Sequence, residues 1–408
     1  MIVHVLKPRS VPLFVGLLVT LVVNSPAQTS DIVCPGSWKQ VRSSGPPPRY
    51  AHNLEWVPRF ESHGEVVMFG GSDLSSNRDG DTWTWDGTVW IHAANTGPSP
   101  RAYSAMAYDY LQRQLVLFGG IGTPSDPQKD NQDTWSWNTT KWTQVAAAGG
   151  PPARNSHGMA YDGLRRKVVL FGGGVTFVGT IFNDTWEWDG KKWDQRFPAL
   201  SPSLRTEFGM VYDSAHARTV LFGGHFCCDP EVKDFGDTWT WDGTVWTHVT
   251  DAGPGPRFSG GMVYDSARKR VVLFGGADET KSFGDTWEWD GAKWTQVATT
   301  GPAPRDTFGM AYDKLRAKVV LFAGEEPPGV LQQDTWEWTG PIYGCSSRAA
   351  GDVNCDGKVD RDDLTLVVSA LGLPACAAGD PRDLNRDGKI NAQDAQLLVN
   401  KCTIFGCK

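Results

Sequence analysis

The 408-residue chain carries 39 basic and 46 acidic side chains, a formal net charge of −7. That mild acidity excludes the basic footprint of a nucleic-acid binder. The length suits one large domain with room for a small second one, and eight cysteines fit an oxidising compartment.

The chain opens on Lys7 and Arg9, an apolar run VPLFVGLLVTLVV, and then Ser25-Pro26-Ala27. Residues 1–27 read as a secretory signal peptide whose apolar run is too short for a good membrane span. With no other long apolar stretch, the expectation is a secreted or cell-surface protein without a membrane span after signal removal.

Next comes a pattern written six times. Each copy starts at an arginine: Arg49, Arg101, Arg154, Arg205, Arg257 and Arg305. A period near 50 residues made only of strands and turns is that of a propeller blade. The fifth copy is the clearest: GPGPRFSGGMVYDSARKRVVLFGGADETKSFGDTWEWDGAKWTQV. GMVYD and RVVLFGG are short apolar runs, rich in β-branched and aromatic residues and bounded by turn residues. Trp287 and Trp289 are two apart and share one face of a third strand. Asp290-Gly291 signals a hairpin, and Trp294 begins the fourth strand. The tryptophans are expected to pack blade against blade, each burying about 150–250 Å².

The double glycine followed by paired aromatics, repeated six times, resembles the kelch repeat family. The resemblance implies an all-β six-bladed kelch propeller over residues 34–345. Two departures stand out: copy one has a longer first turn, VPRFESHG, with Trp56 near the usual Tyr-Asp, and copy six reads FAG with Ala323.

Copy six lacks a fourth strand, and SWKQV at the other end of the chain supplies one, with Trp38 in the place of Trp294. The N-terminal strand is therefore expected to close the last blade and remove an open sheet edge. Cys34 precedes that strand and Cys345 follows the third strand of the same blade, so a Cys34–Cys345 disulfide is expected. The adjacent Cys227 and Cys228 leave two readings open, a vicinal disulfide or separate thiols.

In a four-stranded antiparallel blade, the turn after the second strand and the connection between blades share one face. The variable loops lie there, including HFCCDPEVKDFG and ADETKSFG. The six arginines begin the inner strands on that face. They suggest a ligand-binding collar for an anionic peptide or glycan, with Phe177, Ile181 and Phe182 as apolar neighbours. The alternative is that each arginine pairs with a nearby aspartate such as Asp285. No nucleophile elbow, zinc-protease or phosphate-loop motif occurs, and no catalytic residue is assigned. Galactose oxidase is also a kelch propeller; that resemblance would draw copper ligands from Tyr50, Tyr103, His52 and His157, although histidine is a common kelch residue at this position. A carbohydrate-active enzyme acting in polysaccharide catabolism is the other functional alternative.

After a linker at 346–350, residues 351–403 change character. GDVNCDGKVDRDD recurs 31 residues later as RDLNRDGKINAQD. Both fit the calcium-loop template with oxygen donors at positions 1, 3, 5, 9 and 12, a carbonyl at 7 and glycine at 6. The first loop offers Asp352, Asn354, Asp356, Lys358 (by its carbonyl), Asp360 and Asp363. The second offers Asp383, Asn385, Asp387, Lys389 (by its carbonyl), Asn391 and Asp394. Hard oxygen donors favour Ca²⁺. Aspartate at position 12 and one helix after each loop resemble a small EF-hand-like type I dockerin domain. The resemblance implies two Ca²⁺ ions and a cohesin-like partner. Arg361-Asp362 and Ala392-Gln393 at loop positions 10 and 11 depart from the Ser/Thr-type residues often found there. Cys355, Cys376, Cys402 and Cys407 allow three pairings among themselves.

Overall fold

The computed structural model describes residues 32–402, apart from 60–62, 123–129, 177–178, 229–230, 345–349 and 378. Residues 1–27, expected as a signal peptide, together with Cys345, most of the linker, Phe177 and Cys407 lie outside the described residues. Among the described residues, no helix is long and apolar enough to cross a membrane.

Six four-stranded antiparallel sheets follow one another along the chain. In the fifth blade they run Gly261–Asp265, Arg270–Phe274, Thr286–Trp289 and Trp294–Ala298. The sixth blade takes its outer strand, Ser37–Arg42, from the N-terminus. Trp38 sits opposite Trp338 as Trp294 sits opposite Trp289. A further short pair, Ile32–Cys34 with Ile342–Tyr343, extends this closure. The longer turn of copy one lengthens its first two strands, Asn53–Arg59 and His63–Phe69, without disturbing the blade.

The repeated DTWxW motif has a separate task for each residue. The second tryptophan of each copy is fully buried, from Trp85 to Trp338. The first donates its indole N–H to the motif aspartate at 2.6–2.7 Å. The threonine accepts an indole N–H from the fourth strand of the next blade at 2.9–3.0 Å, as in Trp294 to Thr238. Six such bonds stitch the ring together, each contributing about 1 kcal/mol.

The repeat tyrosines also bridge blades. Tyr161, Tyr212, Tyr264 and Tyr312 each accept a backbone N–H from the first turn of the preceding blade, at 3.1–3.4 Å. Position Ala323 shows what the usual glycine is for. Its φ is +58°, beside +73° at the equivalent Gly70, so alanine here carries strain of about 1–2 kcal/mol.

The C-terminal segment holds two helices, α1 (Arg361–Val368) and α2 (Ala392–Lys401). Val353, Val359, Leu366, Val367, Ile390 and Leu398 form its core. That core runs on into the apolar cluster between blades five and six, with Ala267, Val319 and Trp338. The tail therefore sits on the face of the first turns, opposite the variable loops.

The cysteine expectation is corrected. Cys34 is bonded to Cys376, with Cα atoms 5.7 Å apart. Treating the tail as a separate body left Cys345 as the nearest partner. Because the tail folds back on the closing blade, Cys376 arrives beside Cys34 instead, and Arg382, held by Asp380 at 2.9–3.0 Å, packs against the same sulfur. Cys355 and Cys402 are each in a disulfide as well. Pairing confined to the four tail cysteines is therefore overturned as well.

Candidate functional site

The six arginines do converge at one end of the ring, but they are interior. Their side chains are 0–3% exposed. Each forms a two-pronged ion pair with the aspartate of its own DTW motif: Arg49–Asp81, Arg101–Asp133, Arg154–Asp184, Arg205–Asp237, Arg257–Asp285 and Arg305–Asp334. One prong measures 2.6–2.7 Å, the other 2.8–3.2 Å. The same guanidinium donates to the carbonyl that ends the second strand, at 2.8–3.1 Å. Phe182, Phe235 and Phe283 cover Arg154, Arg205 and Arg257 at 4.0–4.1 Å. Phe182 is thus a lid on an arginine. Burial alone would raise the carboxyls of Asp81, Asp133, Asp237 and Asp285, but the guanidinium and the indole hold them below the usual range. Pairing with aspartate, the alternative weighed for Asp285, is the arrangement in all six blades.

The tail loops have a different electrostatic character. In the first loop, Asp352 accepts from Asp356 and Gly357 N–H groups at 3.2 and 3.1 Å. Asp363 accepts from Val353, Asn354 and Asp360 N–H groups at 2.7–3.1 Å. The second loop repeats this: Asp383 accepts from Asp387 and Gly388, Asp394 from Leu384, Asn385 and Asn391, at 2.8–3.1 Å. Gly357 and Gly388 take the sharp turn at φ +83° and +81°. Asp352, Asp363, Asp383 and Asp394 are all buried, and among the described residues none has a lysine or arginine at ion-pair distance. Burial pushes the Asp363 carboxyl up to about 6. Buried carboxylates met only by backbone donors suit a hard cation, so the donor set fits Ca²⁺.

Residues 33–224 match the profile of the KLHDC2/KLHL20/DRC7 Kelch-repeats domain, and residues 350–402 that of the Dockerin type I domain. The chain carries an N-terminal kelch propeller and a C-terminal dockerin-type domain. Similar curated proteins include an F-box/kelch-repeat protein of Arabidopsis thaliana, 27% identical over 212 residues, 46% of this chain and 41% of that protein. Adagio-like protein 3 of Oryza sativa subsp. japonica is 27% identical over 210 residues, 46% of this chain and 31% of its own length. Mei4-dependent protein 6 of Schizosaccharomyces pombe (strain 972 / ATCC 24843) is 25% identical over 256 residues, 56% of this chain and 36% of its own length. The chain spans well under half the length of each.

Besides the Cys34–Cys376 disulfide, the dockerin-type domain is fastened to the kelch propeller through its first loop. Asn354 Nδ2 donates to Ala267 O at 3.0 Å, and Lys269 forms ion pairs with Asp356 and, at 4.0 Å, with Asp362. Asn354 and Asp356 are loop positions 3 and 5, so the propeller holds two of the candidate ligands. The second loop has no such attachment among the described residues. A shallow groove beside it is lined by Asn385, Ala392, Gln393, Gln396 and Leu397.

The propeller channel has two unlike ends. Toward the tail it opens into a cavity of about 630 Å³, walled by Met106, Met159, Met210, Met262, Met310 and the repeat tyrosines. Glu55 lies in that wall; burial pushes its carboxyl up to about 7 against the pull of Lys314. At the loop end, the residue two after each arginine adopts left-handed backbone: Ala51, Tyr103, Ser156, Glu207, Ser259 and Thr307, at φ +50° to +58°. Each donates its N–H to the carbonyl of the preceding one, closing a six-membered ring of bonds at 2.7–3.0 Å. None of these residues is glycine, which is why the sequence did not announce the ring. Its only signal is register from the arginine. The ring's side chains include Glu207, which receives a hydrogen bond from Ser259. Burial raises the Glu207 carboxyl, with Ser259 and His225 acting against it.

The four residues considered for copper do not form one constellation. Tyr50 and Tyr103 meet edge to face with centroids 6.2 Å apart. His52 packs on Phe322 and His157 on Phe118, at 5.6 and 5.5 Å, in two different blade interfaces. Burial, reinforced by Arg49 and Arg154, holds both imidazoles down to about 3. Neutral histidine here is a packing wedge, and Phe208 and Phe308 occupy the same repeat position in blades four and six.

Proposed function

We propose that this protein is an exported binding module in which the kelch propeller presents a recognition face and the dockerin-type tail docks the whole to a cohesin-like partner. Two Ca²⁺ ions hold the tail loops, one in each duplicated ligand set. The observation carrying this reading is the pair of matching loops, whose four buried aspartates at positions 1 and 12 have no cationic side chain at ion-pair distance among the described residues. A buried carboxylate left without a counter-charge is costly, and a divalent ion supplies the charge for several at once. The Cys34–Cys376 disulfide and the pattern of residues 1–27 support export to an oxidising compartment. The setting that dockerin-type tails suggest is polysaccharide recognition or degradation. An anionic ligand for the arginine collar is not part of the proposal, because every guanidinium is already engaged by an aspartate.

The test is calorimetric titration of the mature chain with Ca²⁺, joined to limited proteolysis. Two ions per chain are expected. Chelation should open residues 351–402 to protease while the propeller stays resistant. At calcium one hundred times its Kd, the stabilisation lost on chelation is about 2.7 kcal/mol per site. Absence of calcium heat, or a cleavage pattern unchanged by chelator, overturns the reading.

A further inference from the structure

On the loop face, the connection after the second strand of blade four folds into a small arm, His225–Cys228 paired with Glu231–Asp234. The register sets His225 directly opposite Asp234. From the corresponding turn of blade five comes Glu279, whose backbone N–H donates to Asp234 Oδ2 at 3.2 Å. His225 Nδ1 stands 2.7 Å from Asp234 Oδ1 and 3.7 Å from Glu279 Oε1. One ligand atom from each of the three residues lies within 4.8 Å of the others.

We propose that His225, Asp234 and Glu279 form a binding site for a divalent first-row transition metal, with zinc as the reference ion. Three features carry this. First, two carboxylates approach one ring nitrogen. A single N–H has one good acceptor, so an ordinary His–Asp pair accounts for Asp234 and leaves Glu279 unexplained. A metal ion at the focus satisfies all three. Second, the donor separations bracket the roughly 3.3 Å that tetrahedral ligands keep when metal–ligand bonds are about 2.0–2.1 Å. Third, the two lysines in these loops are turned elsewhere: Lys233 and Lys281 lie over Phe235 and Phe283 at 5.1 Å.

An imidazole nitrogen in the set favours zinc, copper, nickel or iron over calcium, so this site is chemically distinct from the tail loops. Three protein donors leave at least one coordination position for water or for an oxygen donor of a bound ligand. Two neighbouring blades supply the ligands, so metal binding ties their loops together. His225 is backbone-bridged to Thr206, next to Glu207 of the channel ring, which places the site at the rim of the channel mouth.

The experiment is calorimetric titration of untagged mature protein with Zn²⁺, in excess Ca²⁺ to occupy the tail. One zinc per chain is expected on the propeller. His225→Ala and Glu279→Gln should each weaken binding by about tenfold or more, loss of one of three ligands being severe. Glu279 is 58% exposed on a turn, so its substitution leaves folding intact if His225→Ala does not. Co²⁺ substitution should give visible d–d bands without a sulfur charge-transfer band. The proposal is overturned by three outcomes: no stoichiometric zinc, zinc binding unchanged in Glu279→Gln, or zinc binding abolished by Cys227→Ser with Cys228→Ser while His225→Ala retains it.

Discussion

The propeller and the tail treat buried charge in opposite ways. In the propeller, each of six buried arginines is matched within its own blade by an aspartate and by strand-end carbonyls. In the tail, the aspartates at positions 1 and 12 of each loop meet only backbone N–H groups. The first arrangement is complete without a ligand. The second leaves its carboxylates without a cationic side chain at ion-pair distance among the described residues. A repeated charge is thus not itself a sign of binding; what matters is whether the fold has already supplied its counter-charge.

The largest effect should come from breaking one propeller pair. Arg205→Ala leaves Asp237 part-buried without its partner and is expected to destabilise the propeller by about 3 kcal/mol, read from denaturant midpoints. A neutral outcome would mean the arginines are not structural and would revive the ligand collar. Removing the bond between the regions comes next. Cys376→Ser opens a loop with a sequence separation of 342, for which about 2–4 kcal/mol is typical. The tail should become the first segment cut by protease.

Acid offers a third lever. His52 and His157 have folded values near 3 against an ordinary 6.5. Below pH 6.5 the unfolded chain takes up protons that the folded chain refuses, so stability falls as pH drops from 6.5 toward 3. The slope approaches about 1.4 kcal/mol per pH unit for each histidine. Replacing both with Phe, as blades four and six already have, should flatten thermal stability across that window. If the pH profile is unchanged, the histidines are not buried neutral wedges.

The smallest effect tests the seam between the regions. Lys269 lies beside Asp356, a position-5 candidate ligand. Its ammonium repels an incoming divalent ion, so Lys269→Met should raise calcium affinity at the first loop by about fivefold, on a charge effect near 1 kcal/mol. The second loop should not change. Equal shifts at both loops would argue against the seam.

The repeat was legible because its residues act within one blade and its neighbour. DTWxW, Tyr-Asp and the double glycine each satisfy a local hydrogen-bond or packing need, and six repetitions make those needs visible. Closure by SWKQV was readable for the same reason: a blade missing its fourth strand must find one. The left-handed ring from Ala51 to Thr307 was hidden, because non-glycine residues carry no compositional mark of positive φ. The trio His225, Asp234 and Glu279 was hidden as well, since its members come from two loops 45 or more residues apart.

The amino-acid sequence by itself determined the six blades, the closing strand and the two duplicated acidic loops, since each follows from short-range periodicity and donor spacing. Tertiary structure alone decided that the arginines are interior, that Cys34 reaches Cys376, and that the tail rests on the propeller. Those facts depend on which surfaces meet after folding. Long-range packing is governed by shape and by buried charge seeking a partner, neither of which a linear pattern encodes.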